Sequence, residues 1–384
     1  MRLGAAGLGR AFMLMAPTLG ADKRVRLVAA ADPRPEARAQ FERDYHGRGY
    51  ATVAALCADR DVDVIYVATP HQFHAEHARL ALAAGKHALV EKPMALTLEE
   101  CQAMIDAARA AQRHLIVGHS HSFDAPIRRT RELIASGAYG RLRMISAFNY
   151  TDFLYRPRRP EELDTARGGG AVYNQAAHHV DIVRLLAGGR AKSVRAQTGA
   201  WDAARATEGA YSALVTFEDG AFAAITYSGY AHFDSDEFTG WIAEGGQRKD
   251  PKAYGAARKA LVGDELQLKH ARNYGGAQYS RPAAQLQHQH FGVLIASCEH
   301  ADLRPLPEGV WIYADGERRL EALPAPQVQR AEVIDELYAA VVDGQPPLHD
   351  GAWALATTEV CLAILESARA QREITLRNQT ALRT

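Results

Sequence analysis

An amide, an imidazole and a carboxylate stand at helical spacing in the stretch Gly168-Gly169-Gly170-Ala171-Val172-Tyr173-Asn174-Gln175-Ala176-Ala177-His178-His179-Val180-Asp181. Asn174 and His178 are four apart and Asp181 is three further on, so a helix projects all three from one face. His178 is suited to accept a proton, because imidazole titrates near neutral pH. Asn174 can orient a hydroxyl but cannot take its proton. Asp181 either holds the imidazole in one tautomer or lies on the helix surface. The glycines ahead carry no side chains and let another molecule come close to the backbone. The same stretch also fits a glycine-rich turn before an ordinary amphipathic helix, so the rest of the chain must decide.

A second cluster lies at the start of the chain. Gly7-Leu8-Gly9-Arg10 follows an apolar run and opens a helical pattern, a place where a pyrophosphate can meet backbone N–H groups and the helix dipole. The third small residue of a GxGxxG pattern is missing, because Phe12 occupies it. Asp32 follows the apolar run Val25 to Ala31 and lies 32 − 9 = 23 residues after Gly9, close to the roughly 20 expected of a carboxylate that binds an adenosine ribose. Its charge favours NAD over NADP, although Arg34 leaves tolerance for a 2′-phosphate.

The elements that must position these groups follow from periodicity. Val25 to Ala31, Val62 to Ala68, His87 to Val90 and His114 to Gly118 read as strands, with Ala-rich helices at His74 to Ala84 and Thr97 to Ala111 between them. Such alternation predicts an α/β Rossmann domain, a doubly wound parallel sheet over residues 1–120 that binds its ligand at the strand carboxyl ends. From about residue 141 the pattern changes. Arg143 to Tyr150, Ser193 to Gly199, Tyr211 to Phe217 and Ala221 to Tyr230 read as antiparallel strands, with a hairpin at Glu218-Asp219-Gly220. Residues 121–384 are therefore expected to form an α+β domain with an open, mainly antiparallel sheet, helices on one face, irregular strands over Leu303 to Leu323, and helices over Arg330 to Val342 and Ala352 to Arg369. Residues 245 to 300, rich in Gly, Gln, Lys and Arg, read as an insertion.

Composition narrows the partners. The 384 residues carry 45 basic and 45 acidic side chains, so no charge excess points to nucleic acid or an anionic membrane. No segment has the roughly 18 uninterrupted apolar residues of a membrane span, and Arg10 interrupts the N-terminal run that would otherwise resemble a signal peptide. The four cysteines show no CxxC pair, which suits a reducing, cytoplasmic setting. His288-Gln289-His290 has no carboxylate or cysteine at ligand spacing, so no metal is expected.

The stretch Val67-Ala68-Thr69-Pro70-His71-Gln72-Phe73-His74, followed by Gly85-Lys86-His87-Ala88-Leu89-Val90-Glu91-Lys92-Pro93, resembles the glucose-fructose oxidoreductase, inositol dehydrogenase and MocA family of NAD(P)-dependent oxidoreductases. Glu-Lys-Pro at a strand end is its most specific mark. The resemblance places Lys92 beside nicotinamide and substrate, and Thr69, Pro70 and His71 against the cofactor; His74 and Glu91 are assigned to the cofactor with them. It extends through Gly168 to Gly170, His178 and Asp181, departs at Asn174 where the family has aspartate, and returns more loosely at Asp350-Gly351. Ser120, His121 and Ser122 replace the family's Asn and basic residues, and His121 is taken as a pocket residue. The family pairs the open face of its second sheet with another subunit, which implies a homo-oligomer, dimer or tetramer.

The resulting expectation is hydride transfer between a hydroxyl-bearing carbon of a small substrate and NAD, or NADP. His178 is the base, Lys92 the partner of the developing alkoxide, and Asn174 orients the hydroxyl. Polyols, sugars and cis-dihydrodiols all remain as substrates. Arg156, in Tyr155-Arg156-Pro157-Arg158-Arg159-Pro160, offers a guanidinium for a carboxylate, against the alternative of a solvated basic loop. Together with Asn174-Gln175 it brings the family's phthalate dihydrodiol branch into view. A cofactor-sensing regulator, or an NAD-recycling glycoside-cleaving enzyme of the same fold, stays open at this point.

Overall fold

The computed structural model describes residues 1–118, 120–280 and 287–383. The chain divides into two compact units: Met1–His119 with Gly263–Ala284 and Val328–Thr358, and Ser120–Val262 with Gln285–Gln327 and Glu359–Thr384. This differs from a single division at residue 120, because two later segments return to the first unit.

The first unit holds a six-stranded parallel sheet of β1 (Arg2–Ala6), β2 (Arg26–Ala31), β3 (Arg48–Tyr50), β4 (Val64–Val67), β5 (His87–Val90) and β6 (Leu115–Val117), in the order β3-β2-β1-β4-β5-β6. The order reverses beside β1, the switch point at which such sheets take ligands. Every residue of β4 is buried, as a strand covered on both faces requires. Thr97 and Glu100 form a reciprocal capping box that starts the helix Leu98–Ala111 where the sequence predicts it.

The returning segments finish this unit. Tyr274 is fully buried, meets the Phe12 ring edge-on at 5.2 Å, and donates its hydroxyl to Asp44 at 2.6 Å. Phe12 therefore fills its position by packing against Tyr274, Phe41 and Tyr45, which explains why no small residue is needed there. Gly275 adopts φ +78°, and a Cβ on it would lie 2.7 Å from Ala37 Cα. His349 accepts the Val117 N–H at 2.9 Å and Asp350 bridges to Ile116, so the sheet edge at β6 is covered.

The second unit is built on a nine-stranded sheet of β7 (Leu142–Tyr150), β8 (Ala191–Gly199), β9 (Ala210–Phe217), β10 (Phe222–Ser228), β11 (Val293–Cys298), β12 (Ala301–Leu306), β13 (Gly309–Ala314), β14 (Arg318–Ala322) and β15 (Ile374–Thr375). Its order is β14-β13-β12-β11-β7-β10-β9-β8-β15. The sheet is mainly antiparallel, as expected, with one pair that departs from the reading of its strands: β7 and β10 run parallel from Met144 beside Phe222 to Tyr150 beside Ser228. Residues 293–298 are not part of an insertion but the interior strand β11, antiparallel to β7. Three antiparallel strands, β12 to β14, occupy the region expected to be irregular. The hairpin at Gly220 (φ +89°) joins β9 to β10 as expected. Part of the 245–300 stretch lies outside the described residues.

Candidate active site

In the first unit the glycine turn is set by backbone geometry. Gly7 has φ +91°, and a Cβ there would lie 2.8 Å from the Ala68 carbonyl oxygen, so no other residue fits. Gly9 is the opposite case: a Cβ would meet nothing within 4 Å, leaving open space at the N-terminus of the helix Arg10–Ala21. That open, N–H-lined start suits a pyrophosphate. Leu8 is buried and its N–H donates to Asp32 Oδ2 at 2.9 Å, while Arg10 is exposed.

Asp32 sits at the end of β2, 6% exposed. Its carboxylate also accepts the Arg34 backbone N–H (2.9 Å), Nε (3.0 Å) and Nη2 (3.1 Å). Arg34 further donates to the Leu8 and Tyr274 carbonyls at 3.0 and 3.2 Å. A ribose hydroxyl that binds Asp32 therefore competes with Arg34.

The turn after β4 presents Thr69, Pro70 and His71 half-buried. His74 behaves differently from the expectation. It is fully buried, its two ring nitrogens lying 2.9 and 2.8 Å from the Thr69 and Pro93 carbonyl oxygens, and burial pushes its pKa down to about 4. It ties the Thr69 turn to the Lys92-Pro93 turn rather than touching a ligand. Glu91 is likewise buried beneath the surface, accepting the Tyr66 hydroxyl at 2.5 Å, and burial raises its carboxyl above the usual range. Lys92, half-buried, precedes a cis peptide bond to Pro93.

In the second unit the glycine run answers to the protein's own chain. A Cβ on Gly169 would lie 2.7 Å from the Glu161 carbonyl oxygen. On Gly170 (φ +84°) it would lie 2.1 Å from Glu208 Oε1. Glu208 arrives from just before β9, accepts the Val172 N–H at 2.9 Å, and is held by the hydroxyls of Thr207 (3.0 Å) and Thr165. A carboxylate at this end satisfies an otherwise unpaired N–H and complements the helix dipole. Burial raises the Glu208 carboxyl above its usual range.

The helix itself begins irregularly. Val172–Ala176 is a π-helical turn, and the regular helix Ala177–Leu186 follows. Wide turns of this kind frequently mark functional sites. Asn174, 7% exposed, donates its amide to the Gly170 carbonyl at 2.8 Å, so it braces the turn as well as lying within it. All ten residues of the regular helix are buried. Asp181 is therefore not a surface residue; its Oδ2 accepts the hydroxyls of Ser120 (2.6 Å) and Ser122.

Those serines flank His121, whose Nδ1 lies 2.6 Å from Asp124 Oδ2. The His121 and His178 ring centroids are 4.7 Å apart, and Phe291 packs on both, at 5.2 and 4.8 Å. His121, Ser120, Ser122, Asp124, His178 and Asp181 thus form one buried polar cluster walled by an aromatic ring. Sequence reading missed Asp124, Glu208 and Phe291. Asp124 has a faint signal in its i+3 spacing from His121; the other two have none.

The arginine loop is neither a bare cation cluster nor a solvated loop. Arg156 pairs with Asp152 at 2.8 Å and approaches Glu244 at 3.8 Å. The Arg158 guanidinium stacks 3.8 Å above the Phe153 ring and donates to the Phe153 carbonyl; burial lowers its pKa to about 10. Arg159 pairs with Glu161 and Glu162 at 3.0 and 3.4 Å. His288 and His290 bond through Nε2 to the Pro324 and Ile242 carbonyls, both at 2.8 Å, as struts.

Comparison with known proteins agrees with this division of labour. Residues 1–119 match the "Oxidoreductase family, NAD-binding Rossmann fold" and residues 127–245 the "GFO/IDH/MocA C-terminal domain". The chain belongs to the GFO/IDH/MocA oxidoreductase family. Among its relatives, a 1-carboxy-3-chloro-3,4-dihydroxycyclohexa-1,5-diene dehydrogenase of Comamonas testosteroni is 50% identical over 96% of this chain and 95% of its own. A crystal structure of a Bordetella bronchiseptica RB50 protein, 44% identical, superposes with TM-score 0.91 over 98% of this chain and 100% of that one. The WlbA dehydrogenase of Bordetella pertussis, solved with NADH and UDP-GlcNAcA, shares the fold at 22% identity (TM-score 0.69, 98% and 99% covered). As a family member the chain is an enzyme, an NAD-dependent oxidoreductase that moves a hydride between a hydroxyl-bearing carbon and the nicotinamide. NAD supplies the hydride acceptor, and residues 1–119 are the part of the chain that matches the NAD-binding fold.

Proposed function

We propose that the enzyme oxidises a carboxylated cyclohexadiene cis-diol, giving a catechol as the ring aromatises. Support comes foremost from the 50% identity, nearly end to end, with the Comamonas testosteroni dehydrogenase whose named substrate is a carboxylated dihydroxycyclohexadiene. In this reading His178 takes the hydroxyl proton, Lys92 hydrogen-bonds the developing alkoxide, and Asn174, braced on Gly170, shapes the surroundings of the reacting oxygen. Arg156 is the guanidinium with most access, its side chain 43% exposed, and is assigned to the substrate carboxylate. Its pairing with Asp152 and Glu244 favours the second reading, an uncharged polyol, for which the 29% identical inositol 2-dehydrogenase of Rhizobium meliloti, matched over 51% of this chain and 58% of its own, is the parallel.

The chain is further proposed to act as a cytoplasmic homo-oligomer. Met144, Leu214, Phe222 and Ile295 leave an apolar, exposed face on the central strands of the second sheet, suited to a second copy. No helix among the described residues is long and apolar enough to cross a membrane.

The test is a panel of cis-dihydrodiols, inositols and sugars read by NADH absorbance, with wild type and Arg156→Ala. The expected result is NADH formation on a carboxylated dihydrodiol, and a fall in kcat/KM of more than about tenfold in the variant on that substrate alone. Turnover of inositols or sugars but not dihydrodiols rejects the proposal in favour of the polyol reading.

A further inference from the structure

Aromatisation makes a demand that ordinary alcohol oxidation does not. Removing hydride and hydroxyl proton from one carbinol carbon leaves a hydroxy-ketone. Where the neighbouring carbinol carbon carries hydrogen, this must lose that C–H proton to become a catechol, so protons are handled at two places, the hydroxyl oxygen and the second carbon. A single base next to the first hydroxyl serves only one of them.

The second unit holds two imidazoles in contact. His121 and His178 lie edge to face at 4.7 Å between centroids, 5% and 7% exposed, against the same Phe291 ring. They differ in their support. The Nδ1–H of His121 donates to Asp124 Oδ2 at 2.6 Å, which places the lone pair on Nε2 and fixes the ring's orientation. His179 gives the contrast within the same cluster. Its Nδ1 lies 2.8 Å from the neutral Tyr211 hydroxyl, and burial pushes its pKa down to about 3, as befits a histidine that stays neutral. A carboxylate 5% exposed beside His121 is a different environment, because a buried charge is costly unless it serves a partner. The turn that carries His121 is fixed to the helix of His178 by the bonds from Ser120 and Ser122 to Asp181, so the two rings are held in register.

We infer that His121, oriented by Asp124, is a second catalytic base that removes the ring C–H proton in the aromatising step. The inference rests on the dihydrodiol reading above. The first carbinol carbon gives its hydride to NAD and its hydroxyl proton to His178. His121 Nε2 then takes the C–H proton from the second carbinol carbon. That electron pair forms the new ring double bond, the carbonyl π pair moves to oxygen, and His178 returns its proton there. One diol and one NAD become one catechol, one NADH and one proton, which leaves from His121.

The experiment follows NADH and catechol absorbance together in stopped flow, using a cis-dihydrodiol whose two carbinol carbons both carry hydrogen, with wild type, His121→Asn and Asp124→Asn. Circular dichroism and NAD binding confirm that each variant is folded. In the wild type the two signals rise together. In His121→Asn the catechol signal is expected to lag NADH by at least tenfold, and in Asp124→Asn by a smaller factor, with the lag lengthened further by deuterium on the second carbinol carbon. A structural role lowers both signals equally with no lag, and that outcome overturns the inference, as do unchanged, coincident signals. Failure of the wild type to form NADH from any dihydrodiol, with inositols turned over, overturns the dihydrodiol reading first and this one with it.

Discussion

The two glycine motifs look alike in sequence and do opposite things. Gly9 leaves room for a ligand: a methyl group on it would touch nothing. Gly170 leaves room for the protein: a methyl group on it would collide with Glu208. The first unit thus leaves its main chain open at Gly9, although Gly7 two residues earlier is packed against Ala68. The second presents a side-chain site closed by its own packing, with a carboxylate seated where the glycine run suggested an incoming molecule. A glycine run marks close approach, and only the structure tells what approaches.

The contrast is sharpest in turnover. Lys92→Ala and His178→Ala are each expected to lower kcat by roughly two to four orders of magnitude, the reach of general acid-base groups. NAD affinity should hold in His178→Ala, which a titration of NAD fluorescence quenching would check. Survival of turnover within a few-fold would break the assignment of that unit's residue.

Next come the glycines themselves. Gly170→Ala combines a left-handed φ with overlap on a buried carboxylate, and should cost about 3 kcal/mol or more of stability in a thermal melt. Gly9→Ala has a φ of −89° and open space, so its melting should move by no more than about 1 kcal/mol while the NAD Kd rises at least tenfold. Exchange of these two outcomes would reverse the comparison.

The smallest effect concerns acid. An unfolded histidine gains a proton below about pH 6.5, whereas folded His74 waits until about 4 and His179 until about 3. Between those limits the unfolded chain binds more protons, so stability falls as pH falls, by roughly 1–3 kcal/mol for each group by pH 4.5. Melts from pH 7 to 4.5 should flatten in His74→Gln and in His179→Asn. Since each histidine belongs to one unit, the pair shows which unit limits acid stability.

Legibility in the sequence divides along the same line. Most of the parallel strands, the start of the helix at Thr97 and the turns at Gly7 and Thr69 were readable, because continuous apolar runs and fixed spacings are local properties; the three-residue β3 was not. His74 and Glu91 were expected at the ligand along with their neighbours in sequence; burial, a non-local quantity, puts these two beneath the surface. In the second unit the spacing of Asn174, His178 and Asp181 was visible, but neither the π-turn nor the Ser120 and Ser122 partners of Asp181 has a local signature. Strand β11 was hidden by the Gly- and Gln-rich stretch before it, and the parallel pairing of β7 with β10 joins segments about seventy residues apart.

The return of late segments to the first unit bears on how the protein is born. Tyr274 closes the aromatic core around Phe12, and His349 and Asp350 cover the edge at β6, yet all three are made long after residue 118. At roughly 5–20 residues per second, the ribosome delivers Asp350 on the order of 10–45 s after the last parallel strand has been synthesised. Until Tyr274 is made the nascent N-terminal half has Phe12 without that contact, and for the whole interval it has an uncovered sheet edge, the condition in which stray strand pairing begins. Family resemblance makes the N-terminal half look like a module that could be lifted out whole; in this chain it is finished from the far end.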